Sequence, residues 1–349
     1  MEHTEVLVER SGQLGHLILN RPKAMNALNH AMVLAMMRAL DEWEKDDGVA
    51  TVLISGAGER GLCAGGDIVS IYHDARTGGN GSEQFWRDEY HLNARIRRYP
   101  KPIVTLMDGV VLGGGVGISA HASHRIVTER SRIGMPETGI GFVPDVGGTF
   151  LLSHAPGEMG THAALTGSMV SGADAIAMGL ASHFVDSTLL PTLVAELAER
   201  GADAVVGRYG QVPPESALVQ ARWWIDDCYC ADDVGTILER LARVGDPAAQ
   251  AAAETIAAKS PTAVTVTFAA LRRARVLATL EEALDQEFRV SVRALRWPDF
   301  AEGIRAQLVD KDRNPQWQPA SLAEVSQELV ANTFAMVGDR ELGLSRAEV

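Results

Sequence analysis

Three short stretches combine residue types that can do chemistry. Cys63-Ala64-Gly65-Gly66-Asp67 and Gly113-Gly114-Gly115 each put flexible backbone directly after a β-prone run. Glycine lets main chain approach a ligand closely. N–H groups at a helix start lack intrahelical partners and carry positive partial charge. Two such N–H groups, one from each loop, would form an oxyanion hole for a thioester carbonyl. For either loop alone, a tight turn with close helix–strand packing is the competing reading. The third stretch is Met135-Pro136-Glu137 followed by Pro144-Asp145-Val146-Gly147-Gly148. Its two carboxylates both follow a proline and sit among apolar residues and glycines. A carboxylate there is costly unless it is paired or used. That setting suits a general base or a nucleophile. The plain alternative is a helix-capping Asp and a surface Glu.

Other signals carry less. Cys228-Tyr229-Cys230 has no second pair to complete a metal site, and no metal is expected. Asp310, Asp312 and Asn314 imitate the start of a calcium loop, but Pro315 stands where glycine is needed and Ser321 where glutamate is needed. No phosphate-loop motif ending in Gly-Lys-Ser/Thr occurs. Ser119 and His121 are two apart, so they do not face each other on a helix. Cys63 reads as a small buried residue rather than a nucleophile. Trp223-Trp224 reads as packing between helices.

The elements that must position these groups follow from periodicity. Residues 5–9 and 16–19 are β-prone and read as a hairpin turning at Ser11-Gly12. Asn29 can cap a helix whose apolar stripe is Met32, Met36, Ala39, Leu40 and Trp43. Residues 51–55, 103–107 and 125–128 are buried-strand candidates, and their alternation with helices suggests βαβ units. Residues 73–82 are polar and Gly-rich, which predicts a mobile loop. Beyond about residue 190 glycine thins out, and five helices are expected over 216–231, 233–244, 247–258, 261–277 and 279–295. The expected organisation is a core over 1–200 and a helical C-terminal region over 201–349.

Composition narrows the class further. Lys plus Arg number 32 and Asp plus Glu 45, for a net charge of −13 over 349 residues. Such a balance argues against nucleic acid and against an anionic membrane surface as partners. Three cysteines do not make a disulfide framework. The first ten residues, MEHTEVLVER, lack the apolar stretch of a secretory signal. A cytoplasmic, reducing setting is the expectation.

Taken together, CAGGDI, MDGVVLGGGVGIS, GMPETGIGFVPDVGG and the early LNRPKAMNAL resemble the crotonase (enoyl-CoA hydratase/isomerase) superfamily over at least residues 17–185. FWRDEYHLN at 85–93, the Asp of PDVGG and VDKDRNPQWQP at 309–319 are similar to the branch that hydrolyses 3-hydroxyisobutyryl-CoA. The resemblance implies an α/β crotonase-like spiral of ββα units with a helical C-terminal region. It implies that the amides of Gly66 and Gly114 hold the thioester oxygen and that Glu137 activates water or attacks directly. Asp145 and Glu89 would then bind the substrate hydroxyl and assist proton transfer. Lys23, Ala24 and the loop of Ala64, Gly65, Asp67 and Ile68 would line the coenzyme A channel, with Arg21 and Lys23 as candidate cations for its phosphates. Coenzyme A is part of the substrate, and no separate cofactor is implied. Homo-oligomers, trimers or hexamers, are the superfamily's habit. Hydratases of this superfamily carry a Glu two residues after the glycine triplet, where this chain has Gly117. The alternatives are an enoyl-CoA hydratase or isomerase, and a non-catalytic acyl-CoA binder.

Overall fold

The computed structural model describes residues 4–346. The chain groups into two compact units, each discontinuous in sequence. One comprises the residues up to Asp67, Asp88–Gly134 and Val170–Ser216; the other comprises Ile68–Arg87, Met135–Met169 and the chain from Ala217 onward. The change of texture near residue 200 therefore falls inside the first unit.

Among its described residues the first unit holds nine strands: β1 (Val6–Ser11), β2 (Leu14–Leu19), β3 (Thr51–Gly56), β4 (Ile103–Met107), β5 (Val110–Leu112), β6 (His124–Val127), β7 (Arg132–Gly134), β8 (Val170–Ser171) and β9 (His183–Phe184). Six form one sheet in the order β1-β2-β3-β4-β6-β9, and β5-β7-β8 form a second. β1 and β2 pair antiparallel as the expected hairpin, and every later pair of the large sheet is parallel. Leu14, Leu53, Val104 and Ile126 on its strands, with Val185 just after β9, pack against Leu193, Leu197, Val205 and Val206. Asn29 caps the helix His30–Glu44 by accepting from Met32 N at 3.0 Å, and Met32, Met36, Ala39, Leu40 and Trp43 are its buried stripe, as the sequence predicts.

The second unit is mainly helical. Ala217–Tyr229, Val234–Arg243, Pro247–Ala257, Pro261–Ala274 and Leu280–Ala294 fall where periodicity places them. Four of them start at a side-chain cap, Asp233, Asp246, Ser260 and Thr279, and the last is a reciprocal box with Glu282. The first four of the five helices meet through Trp224, Ile225, Tyr229, Ile237, Leu241, Ile256, Val264 and Phe268. Trp224 belongs to that core, whereas Trp223 is 65% exposed, so only one of the adjacent tryptophans packs between helices.

The expected loop over 73–82 is another correction. Helix Ile68–Thr77 runs through its first half, and helix Gly81–Arg97 begins near its end. The Asp74 carboxylate accepts from the amides of Gly81 and Ser82 at 3.2 and 2.7 Å, tying the end of one helix to the start of the next. Among the described residues no helix is long and apolar enough to cross a membrane.

Candidate active site

In the first unit the early loop and the CAGGD loop are one structure. Leu28 N donates to Gly65 O at 2.8 Å, Asp67 N to Leu28 O at 2.7 Å, and Ala64 N to Met25 O at 3.0 Å. Leu28 therefore pairs with Gly66 as a single parallel bridge. In such a bridge Leu28 bonds the residues flanking Gly66, so the Gly66 N–H points away from Leu28. Lys23 and Ala24 lie on the 3₁₀ turn Pro22–Ala24, whose Lys23 carbonyl accepts from the Arg60 guanidinium at 2.8 Å.

The glycine triplet arrives from β5. Leu112 N donates to Cys63 O at 2.9 Å, and Cys63 pairs with Val111, which brings the two loops side by side. Gly113 takes φ +46° and the short helix Gly114–Gly117 follows. A methyl group placed on Gly114 would lie 3.4 Å from the Gly66 amide nitrogen and 2.6 Å from Glu89 Oε1. Gly114, the Gly66 amide and the Glu89 carboxyl thus border one small space, and only a residue without a side chain leaves it open. Among the described residues neither the Gly66 N–H nor the Gly114 N–H has a protein acceptor. Glu89 comes from helix Gly81–Arg97 and is 2% exposed.

Two residues of this loop cluster have other work. Arg21 pairs with Glu5 at 3.2 Å and Asp67 at 3.1 Å and donates to Ala27 O at 2.6 Å. It is a strut of the loop rather than a free cation for phosphates; Lys23 is exposed. Asn26, unremarked in the sequence, is buried at φ +56°. Its amide donates to Ala57 O and Gly61 O at 3.0 and 3.2 Å and accepts from Arg21 N at 3.0 Å. Asn26→Ala leaves two partly buried carbonyls without that donor. Denaturant unfolding is expected to show a loss of roughly 2–4 kcal/mol.

The second unit holds Glu137, Asp145 and the helix that starts at Ile68. Glu137 opens the 3₁₀ turn Glu137–Ile140 and is 7% exposed, and its backbone oxygen accepts from Phe142 N at 3.0 Å. Phe142 stacks on Trp86 with ring centroids 5.5 Å apart and on Phe300 at 4.9 Å, which pins the chain between the two acids. Asp145 is 5% exposed, and Gly148 N donates to its backbone oxygen at 2.6 Å. Neither acid is a surface residue.

A third acid joins Asp145 that sequence reasoning missed. Glu287, from helix Leu280–Ala294, accepts from Gly147 N at 2.6 Å, Thr149 N at 2.8 Å and the Thr149 hydroxyl at 2.5 Å. Burial pushes its carboxyl up to about 8; the bonds from Thr149 and Gly147 act against that rise, and the charge of Asp145 adds to it. One signal was available: Glu287 lies in the stripe of Leu280, Leu284, Ser291 and Ala294, where an acid must be held by partners.

The remaining sequence signals resolve into structure. Burial pushes the Cys63 thiol up to about 12, so it is no thiolate nucleophile. The Ser119 hydroxyl donates to Gly115 O at 2.6 Å, in the turn just after helix Gly114–Gly117. Asp310 and Asp312 both pair with Arg305, at 2.7 and 2.6 Å. Among the described residues no three of His, Cys, Asp and Glu cluster as metal ligands. Cys63 and Cys228 are buried and Cys230 is exposed. A thiol reagent is therefore expected to titrate Cys230 alone in the native protein and all the cysteines after denaturation; rapid native reaction at Cys63 would contradict its placement.

The parallel strands of the large sheet and the paired glycine loops of the first unit are those of a crotonase-type α/β fold. A family model described as enoyl-CoA hydratase/isomerase matches residues 14–334, and the chain belongs to that family. It is 39% identical to a 3-hydroxyisobutyryl-CoA hydrolase of Rattus norvegicus and 38% to that of Danio rerio, covering 98% of this chain and 91% and 92% of theirs. Among solved structures, it matches a protein of Mycobacterium thermoresistibile described as a carnitinyl-CoA dehydratase. That match has TM-score 0.95 and 52% identity, over 97% of this chain and 98% of the other. It also matches an enoyl-CoA hydratase of Rhodobacter sphaeroides with TM-score 0.92 and 40% identity, over 97% and 99% of the two chains. The cytoplasmic expectation does not stand, because the curated relatives are mitochondrial by name. Sparse free cysteines indicate a reducing setting and do not separate one reducing compartment from another.

Proposed function

We propose that the protein hydrolyses the thioester of a short 3-hydroxyacyl-CoA, 3-hydroxyisobutyryl-CoA above all, to the free 3-hydroxy acid and coenzyme A, a step of valine breakdown. The observation that carries this reading is the space bordered by the Gly66 amide, Gly114 and the Glu89 carboxyl. Two N–H donors aimed at one point stabilise the oxyanion that forms when a thioester carbonyl is attacked. In this reading the Gly66 and Gly114 amides take the carbonyl oxygen, and Glu89 and Asp145 hold the acyl hydroxyl. Glu137 either removes a proton from the attacking water or attacks the carbonyl itself, forming an anhydride that water cleaves. In both routes the C–S bond breaks, the sulfur leaves as the coenzyme A thiol and one water is consumed; its oxygen enters the acid in the direct route, and in the anhydride route enters the acid or Glu137 according to which carbonyl it attacks. Lys23, Ala24, Ala64, Gly65, Asp67 and Ile68 line the coenzyme A end. The hydrolase names of the curated relatives support the substrate class. The reading extends to a trimer or hexamer, which sedimentation reports.

A second reading, reversible hydration, draws on the names of the two solved relatives. Gly117 speaks against it: this buried position of helix Gly114–Gly117 offers no side chain where a hydratase of this superfamily carries its second acid. One assay separates them. Purified protein is given 3-hydroxyisobutyryl-CoA and crotonyl-CoA, and free thiol and enoyl absorbance are followed. Thiol release from the first substrate supports hydrolysis. Loss of enoyl absorbance without thiol release supports hydration and overturns the proposal. Binding of both without turnover leaves an acyl-CoA binder.

A further inference from the structure

The turn carrying Asp145 is held in a conformation it would not keep alone. Val146 has φ +53°, a left-handed conformation that a β-branched residue rarely adopts, and Gly147 follows at +80°. Such a residue costs about 1–3 kcal/mol and persists only where its surroundings over-determine it. Glu287, 140 residues from Gly147 in sequence, supplies part of that restraint. One carboxyl oxygen accepts from Gly147 N, and the other accepts from Thr149 N and the Thr149 hydroxyl. These bonds straddle the start of helix Gly148–Ser153, holding the residue directly after Val146 at Gly147 N and the chain two residues further on at Thr149.

We propose that Glu287 is the positioning residue of the Asp145 turn, fixing the carboxyl that selects the 3-hydroxyl group of the acyl chain. The inference rests on the reading above in which Asp145 binds that hydroxyl. Glutamate is suited to the task because its ionised form accepts through both oxygens, the form that the donors from Gly147 and Thr149 favour against burial; an amide in its place accepts through one oxygen and presents N–H groups to donors. A polar site built to bond a hydroxyl discriminates strongly against an acyl chain lacking it, and a turn that shifts loses that discrimination first.

The test compares thiol release from 3-hydroxyisobutyryl-CoA and isobutyryl-CoA by the wild type, Glu287→Gln and Thr149→Val, all as full chains. Glu287→Gln is expected to lower kcat/KM on the hydroxylated substrate by on the order of a hundredfold, the usual consequence of a misplaced reacting group. It should change the plain acyl substrate little and leave inhibition by coenzyme A unchanged. Thr149→Val keeps both amides and removes one donor, so its shift should be smaller and in the same direction. If Glu287→Gln does not fold, as judged by thermal melting, Thr149→Val decides by its selectivity. Unchanged selectivity in the folded variants, including equal losses on both substrates, overturns the inference while hydrolysis by the wild type stands. A wild type that releases no thiol from either substrate overturns the underlying reading instead, and the inference with it.

Discussion

Glu137→Gln is expected to lower thiol release from 3-hydroxyisobutyryl-CoA by roughly 10²–10⁴-fold, the range a positioned acid–base group contributes. Glutamine matches glutamate in size and polarity but neither takes a proton at neutral pH nor forms an acyl anhydride. Position 137 starts a 3₁₀ turn fixed by its own backbone bond to Phe142 and by the Trp86–Phe142–Phe300 stack, none of which uses the Glu137 carboxyl. Folding should therefore survive, with a melting temperature close to wild type. Coenzyme A inhibition should also be unchanged, since the expected loss lies in the chemical step. Steady-state kinetics with product-inhibition measurements check both halves. Turnover within a fewfold of wild type would remove Glu137 from the mechanism.

Gly114→Ala is expected to cost roughly 10²–10³-fold in kcat, the scale of losing an oxyanion donor. The added methyl would stand 2.6 Å from Glu89 Oε1 and 3.4 Å from the Gly66 amide nitrogen, inside the space a thioester oxygen would occupy. Backbone strain is not the cause, because the left-handed conformation is at Gly113 and not at Gly114. Crowding against Glu89 and obstruction of the amides can be told apart. Adding Glu89→Ala to Gly114→Ala removes the crowded carboxyl but leaves the methyl over the Gly66 N–H. Measured on isobutyryl-CoA, which lacks the hydroxyl that Glu89 would hold, and against Glu89→Ala alone, the double variant stays as slow as Gly114→Ala if the amides matter. Recovery in the double variant would assign the defect to Glu89 instead.

Much of this was legible in the sequence because the deciding interactions are local. Asn29, Asp233, Asp246, Ser260 and Thr279 each bond amides two or three residues ahead, so helix starts can be read from a few residues. The 73–82 segment misled because glycine and polar residues suit a loop as well as a helix-to-helix turn, and the Asp74 bonds that decide lie seven and eight residues on. Arg21 looked like a free cation because its partners Glu5 and Asp67 lie on separate segments. Glu287 escaped for the strongest form of the same reason: its donors are 138 and 140 residues away. The glycine loops were recognisable by type, but their approach to each other depends on the Cys63–Val111 and Leu28–Gly66 bridges, which composition does not announce.

The central claim is that the amides of Gly66 and Gly114 polarise one thioester carbonyl. The infrared stretch of a substrate labelled with carbon-13 at that carbonyl, bound to Glu137→Gln protein so that it is not consumed, reports this directly. The account predicts a band moved to lower wavenumber than in solution, and a return toward the solution position when Gly114→Ala is added. A bound carbonyl that absorbs where it does in water would contradict it.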